Sequence, residues 1–245
     1  MASRFQNQFM TRTAEGADID VGLRSYMLRV YNYMVLGLAL TGAIAFFIST
    51  SDSAISLFFN AATGQATPLA WIAIFSPLVP VLIMVFGAAR LSAGAAQGLF
   101  WVYAALNGVG FSLLFLAFTG TEVARAFFIT AGMFAGMSLI GYTTKRDLTG
   151  MGSFLMMGVF GLLLAIIVNM FLGSTGLMWI ISIGAVAIFA GLTAYDTQKI
   201  KESYYAVGDD AALAQKAAIF GALKLYIDFI VMFQYILHIM SLARE

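Results

Sequence analysis

The sequence predicts an all-α integral membrane protein of seven transmembrane helices. Three observations carry that prediction. Hydrophobic residues make up 61% of the 245-residue chain and charged residues only 10%, well under the roughly 25% charged content of soluble domains. The apolar residues fall into seven charge-free runs of about 20 residues, the length a helix needs to cross a bilayer core. The basic residues between those runs gather on one side.

The runs cover approximately residues 30–50, 69–89, 96–118, 123–142, 153–172, 176–195 and 218–242. Residues 1–22 are expected as a polar cytoplasmic N-terminal tail, and 23–245 as a single seven-helix transmembrane domain. The first run follows Arg4, Arg12, Arg24 and Arg29, and Ala43-Ile44-Ala45 continues into Phe46-Phe47-Ile48. It therefore reads as a retained span and not as a cleavable signal. The second run contains Pro77 and Pro80, which withhold hydrogen bonds from the carbonyls of Ala73 and Ser76. A plain kink is expected there, with freed carbonyls lining a cation path as the functional alternative. In the third and fourth runs, Ala104 with Gly108, and Gly132 with Gly136, would let neighbouring helices approach closely. Asn107 and Asn169 place polar groups in the third and fifth, expected as interhelical hydrogen bonds, with Asn107 also a candidate to support a pore. The sixth run closes at Asp196, and residues 196–217 form the longest inner connection. The loops 62–68, 119–122 and 172–176 are small, polar and Gly-rich.

Orientation follows from Lys and Arg, which are retained on the cytoplasmic side. Arg90, Lys145 with Arg146, and Lys199, Lys201 and Lys216 join the N-terminal arginines on one side, leaving Arg125 and Arg244 on the other. The N-terminus is then cytoplasmic and the C-terminus outside. Losing or adding one span would spoil this segregation.

Within that topology Asp228 is the costly residue. A carboxylate inside a spanning helix costs roughly 2.5 to 3.5 kcal/mol on insertion scales, and such a charge persists when it has a role. Asp196 ends the preceding span on the inner side, so the two acids can meet where the sixth and seventh helices pass. Two carboxylates in one low-dielectric site cannot both ionise cheaply, and they titrate as a pair sharing a proton. Arg90, at the inner end of the second span, is the natural counter-charge, and Lys224, one turn before Asp228, is another. The result would be a proton-sensitive latch; structural ion pairing of Asp228 with Lys224 or Arg90 is the plainer reading. At 100° per residue, Lys224, Asp228 and Tyr235 fall within about 40° of one another, a polar stripe that a lipid-facing helix would not choose. Tyr235 is thus a possible pore-lining residue, whereas His238 reads as an anchor at the outer interface.

Several function classes lack their parts. The chain has no cysteine, one histidine and a net charge of +1, so thiolate chemistry and a basic nucleic-acid surface are excluded. H-E-x-x-H, G-x-S-x-G and P-loop patterns are missing. An aspartyl protease built on Asp196 and Asp228 remains conceivable, but no Gly adjoins Asp228 in Ile227-Asp228-Phe229. The protein is not expected to be an enzyme. Asp209-Asp210 lacks EF-hand spacing and reads as a solvated turn.

Four ordered motifs carry a family resemblance: Leu23-Arg24-Ser25-Tyr26-Met27-Leu28-Arg29-Val30-Tyr31 leading into Gly37-Leu38-Ala39-Leu40-Thr41-Gly42, then Gly141-Tyr142-Thr143-Thr144-Lys145-Arg146-Asp147-Leu148, Ala194-Tyr195-Asp196-Thr197-Gln198 and Leu225-Tyr226-Ile227-Asp228-Phe229. Together they resemble the Bax inhibitor-1, or transmembrane Bax inhibitor motif, family from Leu23 onward. The resemblance implies a C-terminal helix at the centre, wrapped by two three-helix groups. It further implies a pH-sensitive calcium leak gated by a di-aspartyl pair, here Asp196 and Asp228, with Arg90 as the latch arginine and a bacterial inner membrane as the location. Calcium would be the transported ion, with no tightly bound cofactor: a tight site takes six to eight oxygens, whereas this region offers Asp196 and Asp228 plus carbonyls, Asn and water. The alternative implied by bacterial relatives is a non-conducting regulator of a membrane-anchored, ATP-dependent protease, engaged through the N-terminal tail. The remaining partners are the lipid bilayer, calcium and protons.

Overall fold

The structure, a computed structural model, describes residues 2–60, 65–208 and 210–244. Helix α1 (Ala2–Ser49) supplies the first span over Val21–Ser49, and a short helix α2 (Asp52–Phe58) follows it. A two-residue antiparallel ladder pairs β1 (Phe59–Asn60) with β2 (Gln65–Ala66). Helices α3 (Pro68–Phe75) and α4 (Leu78–Gly87) make the second span. The remaining five spans are α5 (Ala93–Ala117), α6 (Gly120–Thr143), α7 (Thr149–Leu172), α8 (Thr175–Val207) and α9 (Ala211–Leu242). Among the described residues, seven helical stretches are long and apolar enough to cross a membrane. The chain is an all-α integral membrane protein.

The helix ends are set by local chemistry. At α6 the Thr119 side chain accepts from the Glu122 N–H while the Glu122 carboxylate accepts from the Thr119 N–H, a reciprocal capping box. Ser92 and Ser174 cap α5 and α8, and Asp210 accepts from the amides of Ala212 and Leu213 at the start of α9. Asp210 is thus a cap; its neighbour Asp209 lies outside the described residues. Gly173 and Gly208, at φ of 59° and 56°, end α7 and α8 in a backbone conformation that side chains disfavour.

The second span is kinked, as expected. Its helix breaks at Ser76–Pro77, and the Ser76 hydroxyl donates to the Ala73 carbonyl at 2.9 Å, while the Ser76 carbonyl accepts from the Val79 N–H at 3.1 Å. Both carbonyls named as candidates to line a path are therefore satisfied locally.

Three expectations about extent are corrected. Helix α1 is packed ahead of the expected start at residue 30, because Leu23, Tyr26, Met27 and Val30 are buried at helical spacing while Arg24 and Arg29 point outward. A charge-free run cannot register such an amphipathic beginning. Likewise α8 continues past Asp196 through Lys199, Lys201 and Glu202 to Val207, and α9 starts at Ala211. The long inner connection expected over 196–217 is mostly helix.

Helix α9 is the centre. It packs against α1, α5, α6 and α8, and buried residues recur along it from Ala218 to Leu237. Around it, α1, α3, α4 and α5 form one group, with α5 touching each of the others. The other group is α6, α7 and α8, held together through α8. Close approach depends on Gly108, where a Cβ would come within 2.8 Å of the Thr41 carbonyl oxygen on α1. It depends equally on Gly141, where a Cβ would collide with the Ala194 backbone of α8. Gly132 and Gly136, expected to serve this purpose, are exposed, and a Cβ at either would have nothing within 4 Å among the described residues.

Candidate functional site

Helices α8 and α9 cross at Ile200 and Gly221, where the side chain of the first covers the bare backbone of the second. One turn from that crossing α8 presents Asp196, and α9 presents Lys224 and then Asp228. Lys224 Nζ lies 3.5 Å from Asp196 Oδ1; the lysine side chain is 55% exposed and the aspartate side chain 13%. Asp228, one turn further along α9, is only 3% exposed, and its Oδ2 has no hydrogen-bond partner among the described residues. The lysine thus stands at the exposed rim, Asp196 behind it, and Asp228 innermost.

Two hydroxyl networks brace this site from the other helices. Thr197, next to Asp196, is 3.1 Å from the Ser138 hydroxyl of α6, which in turn bonds the Tyr31 hydroxyl of α1. On α9 the fully buried Tyr226 places its hydroxyl 2.6 Å from Thr41 Oγ1. The Thr41 proton is committed to the carbonyls of Gly37 at 3.0 Å and Ala104 at 2.8 Å, so the Tyr226 O–H is the donor between them. Phe100 and Tyr103 meet the Tyr226 ring edge-on, at 6.0 and 5.4 Å between centroids.

Below Asp196, α8 holds the link between α6 and α7. Gln198 accepts from the Leu148 N–H at 2.9 Å and donates to the Arg146 carbonyl at 2.8 Å, and Lys201 donates to the Tyr142 carbonyl at 3.0 Å. The sequence stretches around Gly141 and around Asp196 are therefore one structural unit. Outside the spans, the hydroxyl and N–H of Thr149 hold the Asp147 carboxyl below the usual carboxylate range.

The other residues singled out from sequence lie apart from this cluster. Arg90 is exposed in the turn after α4; among the described residues ion pairs join Lys199 to Glu202, Lys224 to Asp196 and Arg244 to Glu122, and Arg90 takes part in none. Of the two counter-charges expected, Arg90 and Lys224, it is Lys224 that pairs with Asp196, because its helix faces α8. Asn107 donates to the Tyr103 carbonyl of its own helix at 2.9 Å, and Asn169 accepts from the Ser174 N–H at the end of α7. The first bond stays within its own helix, whereas the second joins the end of α7 to the N-cap residue of α8. Tyr235 is half-buried, and His238 Nε2 is buried without a partner among the described residues. The Tyr31–Ser138–Thr197 network was not singled out from sequence, since hydroxyls at scattered positions carry no spacing that marks them.

A seven-helix membrane protein with a buried carboxylate on its central helix and a second acid on the adjacent one is the class these features define. A model of the family described as inhibitor of apoptosis-promoting Bax1 matches residues 23–245, and the chain belongs to that family, the Bax inhibitor-1 family. A Rickettsia prowazekii (strain Madrid E) protein designated RP147 is 45% identical over 236 residues, covering 96% of this chain and 97% of its own. A Caulobacter vibrioides protein is 46% identical over 237 residues, 95% of each chain. The inner membrane protein YbhL of Escherichia coli K12 is 41% identical over 224 residues, 91% of this chain and 94% of its own.

Proposed function

We propose that the chain is a pH-sensitive cation leak of a bacterial inner membrane, with its basic end cytoplasmic and calcium as the transported ion. The observation that carries this reading is Asp228 Oδ2, without a partner among the described residues and buried on the central helix behind the Asp196–Lys224 pair. A buried acceptor without a donor is costly, and either a proton or a passing cation completes it. Asp196 and Asp228 form the sensing pair that shares the proton, and Lys224 is the counter-charge that occupies Asp196 when no cation does. Among the described residues no three His, Asp or Glu side chains converge. Two carboxylates fall far short of the six to eight oxygens of a tight calcium site, which suits transit and not storage. The inner-membrane placement is supported by the name of the YbhL relative.

Reconstitution into calcium-loaded liposomes tests the proposal. Flux is expected to vary across a pH series, and Asp228→Asn, which cannot carry the shared proton, is expected to flatten that profile. An unchanged profile removes Asp228 as the sensor. No flux at any pH overturns the leak and leaves the non-conducting regulator of a membrane-anchored protease as the reading to pursue.

A further inference from the structure

The flank of α1 that faces away from α9 carries a groove of about 750 Å³ shared with α5. Its residues on α1 recur at helical spacing, with Arg24, Arg29, Asn32 and Tyr33 among them, and α5 contributes Gln97 and Trp101. Both arginines are exposed. Near the end of a span such arginines reach headgroup depth, where an anionic group meets them. Among the described residues the groove lining contains no Asp or Glu, so none of them would meet the ammonium of a zwitterionic headgroup. Tyr33 and Trp101, with ring centroids 5.9 Å apart, form an aromatic floor of the kind found at headgroup depth.

From these features we infer that the α1/α5 groove binds an anionic phospholipid. The guanidinium groups of Arg24 and Arg29 take the phosphate, where a planar fork of donors matches phosphate oxygens, and the amides of Asn32 and Gln97 reach the glycerol and ester oxygens. From Arg24 to Leu36 the groove runs twelve residues along the helix, about 18 Å at 1.5 Å per residue. That span reaches from the headgroups to near the bilayer centre, room for an acyl chain against Leu28 and Leu36. Arg24 and Leu28 also line a second groove of about 500 Å³ between α1 and α6, floored by Tyr31 and Phe134. A phosphate at Arg24 thus sits where two apolar channels meet, which fits a two-chain lipid better than a free anion. On the proposed orientation this is the cytoplasmic leaflet, where basic pockets between helices take anionic headgroups. The inference does not depend on ion conduction.

Native mass spectrometry of the purified full chain, offered phosphatidylglycerol and phosphatidylcholine of matched chains, reads the outcome. The wild type is expected to retain phosphatidylglycerol about ten-fold over phosphatidylcholine. The double variant Arg24→Gln/Arg29→Gln should lose that preference, while Arg125→Gln at the opposite end keeps it. Leu28→Trp, which fills the groove and leaves both arginines, should lower retention of both lipids and serves if the arginine variant fails to fold. Equal retention by the wild type, an undiminished preference in the double variant, or equal loss in Arg125→Gln each overturns the site. Displacement of the lipid by millimolar inorganic phosphate would make the ligand a free anion and overturn the lipid assignment.

Discussion

Helix α7 is the more apolar of two long spans, yet 11% of its 18-residue apolar window is buried within the protein, against 50% for α9. In water that order would be reversed. Here the surroundings of α7 are hydrocarbon, so Phe154, Met157, Phe160 and Leu164 lose nothing by facing out. The protein interior goes to the helix whose side chains need what lipid cannot supply, a hydroxyl partner for Tyr226 and company for Asp228. Helix α9 packs against four helices, and α7 chiefly against α8.

Truncating a side contact of α9 should give the largest effect. Tyr226→Ala removes a fully buried ring packed against Phe100 and Tyr103, together with the O–H that Thr41 accepts from. A loss of about 3–5 kcal/mol is expected from such a truncation, read as a fall in melting temperature in detergent. Leu164→Ala on α7, 65% exposed, should change stability by less than about 0.5 kcal/mol. Comparable losses at the two positions would mean that α7 is packed against something in the membrane.

The same comparison shows what the sequence made legible. Seven spans were readable because lipid selects length and apolarity, the properties a hydropathy run records. The packed beginning of α1 ahead of residue 30 and the extension of α8 to Val207 were not, because Arg24, Lys199 and Lys201 interrupt the apolar runs while the opposite faces stay buried. Asp196 and Asp228 stood out by their cost, and the structure places them on adjacent helices. The partner of Asp196 did not: Arg90 and Lys224 are equally basic, and only the facing of α9 toward α8 separates them. Gly141 and Gly136 look alike in sequence, and only the path of α8 across α6 decides which one is a contact.

Asp228 should respond in the opposite direction from Tyr226. Its Oδ2 is buried without a donor among the described residues, so Asp228→Asn, which replaces a buried ionisable carboxylate with a neutral group of the same shape, is expected to stabilise by about 1 kcal/mol at neutral pH. A drop in melting temperature instead would reveal a stabilising partner and weaken the argument that this residue is kept for function. The Asp196–Lys224 pair should matter less for stability, because the lysine is more than half exposed and a screened pair contributes about 0.2–1 kcal/mol. A double-mutant cycle of Asp196→Asn and Lys224→Met, at low and high salt, measures that coupling. A value that salt does not touch would mean the pair is shut off from water.

The smallest effect belongs to the ends of α7. At its start Asp147 accepts from both the N–H and the hydroxyl of Thr149, at 2.8 and 2.6 Å, and these bonds hold its carboxyl below the usual range. Because the folded state favours the ionised form, the stabilisation is fully present above the ordinary Asp value of about 3.9. It is lost as pH falls through the lowered folded value. Asp147→Ala should therefore speed amide exchange in the first turn of α7 at neutral pH, and the difference from wild type should close in strong acid. Exchange along α9 should stay unchanged, since its protection comes from side contacts that Asp147 does not touch. If instead α9 loosens with α7, the Gln198 bonds to Leu148 and Arg146 must transmit the loss through α8, and the two helices would share one anchor.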